Sequence, residues 1–326
     1  MMNSSSPVRH AVVAATLMTI SAFSLAAGMD ACLVGVTAVP ERTRWMAGEP
    51  IRVKVTLFNL QSATVVVPMA YPSLGGAGYP GIGFTLSNGM QAPPRDTPFV
   101  NVGIETNIAL AQGDSWETHV YANRYVAAPP LGRSTLHWSL SAVCLPAQAA
   151  AAPMALVRSG SFDVEIGPGN ATELQARANA YLASLDSKSS TGRADALEAL
   201  TNFTDPSVIP SLEQVYLNGY RADALRGLKK FDGDTRAAKV VSTMLDSANG
   251  ASARTVLRAV STWRTGLGAD VVDRLLVNPD SSVRLALVDY LGVRDGRTFD
   301  LKLTQLASDA DPAVAAAAKR ALAKRN

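Results

Sequence analysis

The pattern of apolar and polar positions along this chain changes near residue 170. From residue 31 to residue 166 apolar residues alternate with polar ones, most clearly over 51–57, 136–140 and 162–166. Successive side chains of a β-strand point to opposite faces, so this alternation predicts strands with one buried face. Shorter strands are predicted at 32–38, 63–68, 82–87, 106–110 and 117–121.

Turn-forming residues separate these predicted strands, for example at 47–50, 112–114 and 129–132. Seven or eight short strands in this span predict a two-sheet β-sandwich of immunoglobulin type, which we place at residues 28–168. The Ala- and Pro-rich segment 145–160 is predicted to be an excursion before the last strand.

From residue 171 onward the apolar period becomes helical, and the phrase Arg-Ala-Asp-Ala-Leu occurs at both 193–197 and 221–225. The apolar residues that close successive helices are spaced by 28, 32, 31 and 31 positions, at Leu200, Leu228, Val260, Leu291 and Leu322. Twelve residues past the first four of these anchors lie Leu212, Val240, Val272 and Leu303, in second apolar segments. A period near 30 with two helices per unit predicts an α-solenoid over 171–326, beginning with a helix at 172–185.

Two resemblances to known families accompany these patterns. The helical array resembles HEAT repeats, particularly the short kind in phycobilin-lyase-type and similar proteins, and the resemblance implies an α-α superhelix that binds partners. The first half carries A-G-E-P-I-x-V-x-V-x-L-x-N at 47–59, L-x-x-G-D-S at 110–115 and P-L-G-x-x-x-L-x-W at 130–138. This layout resembles sandwich domains of the intracellular proteinase-inhibitor type and implies binding through loops at one end of the sandwich.

The N-terminal segment predicts export. Arg9 and His10 precede an apolar run at 11–27, and small residues around Ala26 suit signal-peptide cleavage there, so 1–26 are excluded from the fold. The alternative is an uncleaved anchor helix. With cleavage, we expect no integral membrane span and a periplasmic or extracellular location.

In such an oxidising compartment the two cysteines, Cys32 and Cys144, are predicted to form a disulfide. Two buried free thiols are the alternative. Asp30 stands where a lipid-attachment box needs a small or apolar residue, which argues against lipidation of Cys32.

Composition and charge narrow the function. Hydrophobic residues make up 48% and charged residues 17% of the chain, a core-forming composition. The formal charge is +3 without a block of like charge, so nucleic acid is not an expected partner.

The sequence nominates no catalytic site, cofactor site or metal site. Residues 76–81 match G-x-G-x-x-G, but a strand pattern follows instead of the helix that nucleotide binding requires, so a loop is predicted. Beyond the signal segment the histidines are His119 and His137, both in predicted strands, with no protease motif. The acidic triplets 232–234 and 309–311 are predicted as helix caps rather than calcium ligands.

We therefore expect a non-catalytic binding or scaffold protein. HEAT-like arrays place the second helix of each pair on the concave face, where the position two before each anchor forms a column. A charged recognition strip and a solvated ladder of salt bridges are the two interpretations of this column. The alternatives for the whole chain are a proteinase inhibitor acting through loops 72–83 or 90–105, and an enzyme with an unrecognised site. The column consists of Glu198, Arg226, Arg258, Asp289 and Arg320.

Overall fold

The computed structural model describes residues 32–69, 81–86, 106–126, 128–146, 154–294 and 296–325. Strands occupy the first part of this span and helices the second, with the last strand ending at Gly167 and the first helix beginning at Ala171. The predicted signal segment 1–26 and the loops 72–80 and 90–105 lie outside the described residues, as do residues 76–80 of the glycine-rich motif.

Nine strands are present among the described residues. They are β1 (Val34–Pro40), β2 (Arg44–Met46), β3 (Arg52–Asn59), β4 (Val65–Met69), β5 (Gly81–Leu86), β6 (Thr106–Leu110), β7 (Ser115–Tyr121), β8 (Gly132–Pro146) and β9 (Met154–Gly167).

The strands form two sheets. One has the order β1-β3-β7 and is antiparallel throughout. The other has the order β2-β9-β8-β4-β6, with β5 also paired to β8, and β2 runs parallel to β9. The predicted alternation is confirmed in β3, where Val53, Val55 and Leu57 are buried and Lys54 between them is exposed. These side chains and those of β8 and β9 share one apolar core.

Two features of the sheets differ from the prediction. Residues 145–160, predicted as an excursion, are largely the continuing arms of β8 and β9, and only 147–153 lie outside the described residues. Backbone pairing from Gly132↔Ile166 to Cys144↔Met154 joins the arms. The short strand β2 was not predicted, because three residues cannot display an alternation.

The predicted disulfide between Cys32 and Cys144 is present. Cys144 lies within β8, and Cys32 precedes β1 by two residues. The bond therefore links the start of the first sheet to a central strand of the second.

Ten α-helices follow within the described residues. They are α1 (Ala171–Ala183), α2 (Ser190–Asn202), α3 (Ile209–Leu217), α4 (Arg221–Leu228), α5 (Thr235–Asp246), α6 (Gly250–Val260), α7 (Ala269–Leu276), α8 (Ser281–Gly292), α9 (Arg297–Leu306) and α10 (Pro312–Ala323).

The repeat positions fall on alternate helices. The five anchors lie on α2, α4, α6, α8 and α10, and the residues twelve further on lie on α3, α5, α7 and α9. The four residues on the odd-numbered helices are buried, as are all anchors except the partly buried Leu322. Each even-numbered helix contacts the next even-numbered helix, from α2 to α10. One apolar core runs from Leu174 to Ala318 between them.

Side-chain caps begin most of these helices. Asp311 accepts hydrogen bonds from the backbone N–H groups of Ala313 and Val314, and Asp205 accepts one from Ser207 ahead of α3. Asp234 caps α5 in the same way. Each cap satisfies a backbone donor that has no partner within its helix.

The ends of the later even-numbered helices are tied together by arginines. Three residues past the anchors stand Phe203, Phe231 and Trp263 in the first three repeats, and all three are buried. In the last two repeats the same position is Arg294 or Arg325. Their guanidinium groups donate to carbonyl oxygens at or just beyond the C-terminal end of the preceding even-numbered helix: Arg325 to that of Leu291, and Arg294 to that of Trp263 at 2.5 Å. Cations suit this end of a helix because its last carbonyls lack partners.

Candidate functional site

The five residues of the predicted column lie one on each even-numbered helix. The structure divides them into two groups. Glu198 and Arg226, at the end of the array next to the sheets, are half-buried, whereas Arg258, Asp289 and Arg320 are exposed.

Glu198 and Arg226 contact each other across adjacent helices. Oε2 of Glu198 lies 3.3 Å from Nη2 of Arg226. One helical turn further on, Nζ of Lys230 donates to Oδ1 of Asn202 at 3.1 Å. Because both contacts join equivalent positions of two repeats, α2 and α4 are packed in register.

Arg226 has a second carboxylate partner on its own helix. Its Nη2 atom lies 2.7 Å from Oδ1 of Asp223. Burial raises the pKa of Asp223, and the charge of Arg226 opposes that shift. Because Arg226 lies between two carboxylates, its positive charge is paired within the molecule.

Side chains of the strand region contact two acidic side chains of α2. Nη2 of Arg52 lies 2.7 Å from Oδ2 of Asp195, and the hydroxyl of Tyr121 donates to Oδ1 of the same carboxylate at 3.0 Å. Nη1 of Arg124 lies 3.5 Å from Oε1 of Glu198. The first member of the column is therefore shared with the strand region.

The network extends back into the three-stranded sheet. Nη1 of Arg52 pairs with Oε1 of Glu41 at 2.6 Å, and Nε2 of His119 lies 3.1 Å from the same oxygen. Burial raises the pKa of Tyr121, so its hydroxyl stays protonated and acts as a donor. Burial lowers the pKa of Arg52, but its ion pairs with Glu41 and Asp195 raise it, and the net shift is upward.

A second joint lies at the turn between β2 and β3. The side chain of Glu49 is only 3% exposed and pairs with Arg42 and, at 2.6 Å, with Nη1 of Arg177 on α1. Its other oxygen accepts a hydrogen bond from the backbone N–H of Met46 at 3.1 Å. This buried carboxylate thus joins the β2 turn to the first helix.

Gly48 brings the backbone of this turn against the helices. Its carbonyl accepts a hydrogen bond from the backbone N–H of Thr204 at 3.0 Å. The residue adopts a φ of +90°, and a Cβ atom here would lie 2.8 Å from Cβ of Asp205. Only glycine meets both requirements without strain.

The sequence did not reveal these joint residues. Arg52 and Asp195 are 143 positions apart, and Glu49 and Arg177 are 128 apart. The alternation that predicts β3 assigns Arg52 to the polar face but cannot say what covers that face. A polar residue at a strand end next to a turn was the one available signal.

The remaining column residues face solvent. Asp289 lies 3.9 Å from Nε of Arg254, and these side chains are 65% and 57% exposed, so the pair is weak. Within the part of the chain that the structure describes, neither Arg258 nor Arg320 forms an ion pair.

The other candidate groups of the sequence have structural partners. Asp232 accepts hydrogen bonds from the backbone N–H groups of Arg264 and Thr265. Asp309 forms two 2.8 Å contacts with Arg284, which hold the pKa of this carboxyl below its usual range. His137 lies on β8, where it is exposed. Over the described ranges, no group of three or more His, Cys, Asp or Glu side chains is arranged to hold a metal ion.

No protein-family model matches this chain, and no curated protein matches it either. Among the described helices none is long and apolar enough to span a membrane.

Proposed function

We propose that this chain is an exported, non-catalytic binding protein that holds a protein or peptide partner on the solvent-exposed face of its even-numbered helices, the concave face of a HEAT-like array. In this proposal the helices form a HEAT-like superhelix and the strands an immunoglobulin-like sandwich docked at its start.

Helix packing supports the superhelix. The anchors recur at 28 to 32 residues, each on an even-numbered helix that contacts the next. Contacts between repeats recur at similar separations, including Arg221 to Ser252, 31 residues apart, and Arg274 to Ser242, 32 apart. A two-helix unit cannot bury its apolar stripe alone, so such stacking is where its stability arises.

The disulfide supports export. A bond between Cys32 and Cys144 persists in the oxidising compartments that a signal peptide gives access to. The same bond would be reduced in a typical cytosol.

The division of the column carries the functional proposal. Glu198 and Arg226 pair with each other, with Arg124 and Asp223 as their further partners, whereas Arg258, Asp289 and Arg320 are exposed on three packed helices. Charges fixed on a rigid scaffold select partners by electrostatic complementarity. We call the exposed face of α6, α8 and α10 that carries Arg258, Asp289 and Arg320 the open strip.

The test is affinity capture of a partner by the full chain from the periplasm or medium of the exporting organism. The double substitution Arg258→Glu and Arg320→Glu should weaken capture at least tenfold, because it reverses two positive charges of the open strip. Lys188→Glu with Lys239→Glu is the matched control, since these exposed cations lie off the open strip. Circular dichroism should show that both variants fold.

Two results decide against this function. Equal capture by the strip variant and the control would show that the open strip is not used. Protease inhibition by the full chain would support the alternative, an inhibitor acting through loops 72–83 or 90–105. The full chain is required, because separating the halves would expose Glu49, Arg52 and Tyr121.

A further inference from the structure

The charges of the open strip have a definite order. Arg258 on α6, Asp289 on α8 and Arg320 on α10 occupy equivalent repeat positions and give the sequence positive, negative, positive. We infer that the open strip recognises an extended peptide carrying an acid, a cation and a second acid at intervals of three residues. This inference rests on the proposed binding function and specifies its ligand.

The interval follows from the spacing of the helices. Packed helices have axes about 8–10 Å apart. A peptide in the extended polyproline II conformation advances about 3.1 Å per residue and has three residues per turn, so three residues cover about 9 Å and every third side chain points the same way. A peptide lying across α6, α8 and α10 therefore presents one side chain to each helix at every third position.

At the end of the array next to the strands, acidic side chains of the helices are already paired with cations in this way. On α2, Asp195 and Glu198 each receive a guanidinium group from the strand region, at 2.7 Å from Arg52 and 3.5 Å from Arg124. The sandwich thus supplies cations where the helices present acids. On the later even-numbered helices, the exposed charges of the column are mainly positive, at Arg258 and Arg320.

The surplus of cations on the open strip favours an acidic partner. Arg254 and Arg258 are exposed on α6 and Arg320 on α10, against one exposed acid, Asp289 on α8. Because Arg254 lies 3.9 Å from Asp289 in a largely exposed pair, a cation of the ligand can replace it there. Arg254 is then free to pair with an acid of the ligand.

The order of charges separates this inference from general attraction of anions. Nucleic acids and anionic membranes present uniform negative charge and gain nothing from a central cation. A ligand selected by charge order must instead lose affinity when its central cation is moved. Peptides of identical composition therefore provide the test.

The experiment is a titration of the full chain with three labelled peptides, followed by fluorescence anisotropy at low salt. Glu, Lys and Glu separated by pairs of Gly or Ser form the matching peptide. A second peptide has the same residues in the order Glu, Glu, Lys, and a third has Glu at all three positions. The matching peptide should bind about two- to fivefold more tightly than the permuted one, since exposed ion pairs contribute modestly. It should also bind more tightly than the all-acidic peptide.

A charge exchange in the protein provides the decisive arm. Arg258→Glu, Asp289→Lys and Arg320→Glu together should reverse the preference, so that Lys, Glu, Lys at the same spacing binds more tightly than Glu, Lys, Glu. All three side chains are exposed, and folding is checked by circular dichroism.

Several results would overturn the inference: equal affinity for the matching and permuted peptides, tightest binding of the all-acidic peptide, no binding of any peptide, or no reversal in the exchanged variant. The proposed function has a separate readout. If natural-partner capture still depends on Arg258 and Arg320, the open strip binds a ligand of another charge order.

Discussion

Glu198 of α2 and Arg226 of α4 stand 28 positions apart in the sequence, and their carboxylate and guanidinium groups lie 3.3 Å apart. The two residues are the first members of a column predicted from repeat spacing. Their contact shows that equivalent positions of two successive repeats lie next to each other on neighbouring helices.

This contact predicts a measurable coupling. The side chains are 25% and 31% exposed, so solvent screens the pair only in part. Glu198→Ala and Arg226→Ala should show a coupling free energy of about 0.5–1 kcal/mol in a double-mutant cycle based on urea unfolding. Arg254 and Asp289 form the control pair, with an expected coupling near zero. Additive effects of Glu198→Ala and Arg226→Ala would contradict the register.

Removing the buried carboxylate at the β2 turn should weaken the whole fold. Glu49→Ala leaves Arg42 and Arg177 unpaired and deprives the Met46 N–H of its acceptor. We expect the free energy of unfolding to fall by about 2–3 kcal/mol, because both arginines can still reach water. Glu165→Ala, which removes an exposed partner of Arg44, should change it by less than about 1 kcal/mol. Similar effects of the two substitutions would show that burial at the joint is unimportant.

The disulfide should contribute strongly to stability. Cys32 and Cys144 are separated by 112 positions, and a loop of that size is worth about 4–5 kcal/mol in the chain-entropy model. Substituting both by Ser should therefore lower the melting temperature markedly. The wild-type chain in excess reductant is the control and should melt near the same temperature. An unchanged melting temperature in both samples would exclude a stabilising role for the bond.

Acid should destabilise the end of the helical array. Hydrogen bonds from Arg284 lower the pKa of Asp309 below its usual value of about 3.9. A lowered folded-state pKa contributes stability above the unfolded-state value, and this contribution is lost as the pH falls through the folded-state pKa. Stability measured by urea unfolding should therefore decline below about pH 4.

Asp309→Asn should remove about 2 kcal/mol at neutral pH, because a charge-assisted pair is lost, and should flatten the decline in acid. Asp270→Asn is the matched control, since that carboxylate is 76% exposed in its pair with Arg274. A full acid-induced decline in the Asp309→Asn variant would assign the pH dependence to other carboxylates.

The sequence was most informative where a regular period governs which residues are buried. The two-residue period predicted β3 and the core-facing ends of β8 and β9, and the period near 30 placed Leu200, Leu228 and Val260 on alternate helices. Both patterns follow from local geometry, which repeats along the chain.

Contacts between distant segments could not be predicted. The covering of Asp195 by Arg52 and Tyr121 depends on how the sheets meet α2, and no periodicity encodes that approach. Arg294 was missed for a related reason. It replaces the aromatic residue of earlier repeats, and its carbonyl partners become visible only when adjacent helices are in place. The column residues lie one on each even-numbered helix, and the contact of Glu198 with Arg124 of the strand region was not foreseen.

The strand region holds one end of the helical array through Glu49, Arg52 and Tyr121, whereas among the described residues α10 has no such joint. Gain or loss of a complete module of about thirty residues near the C-terminus would leave that anchoring untouched. The number of such units can therefore change, by evolution or by design, without altering the contacts that join the first helices to the strands.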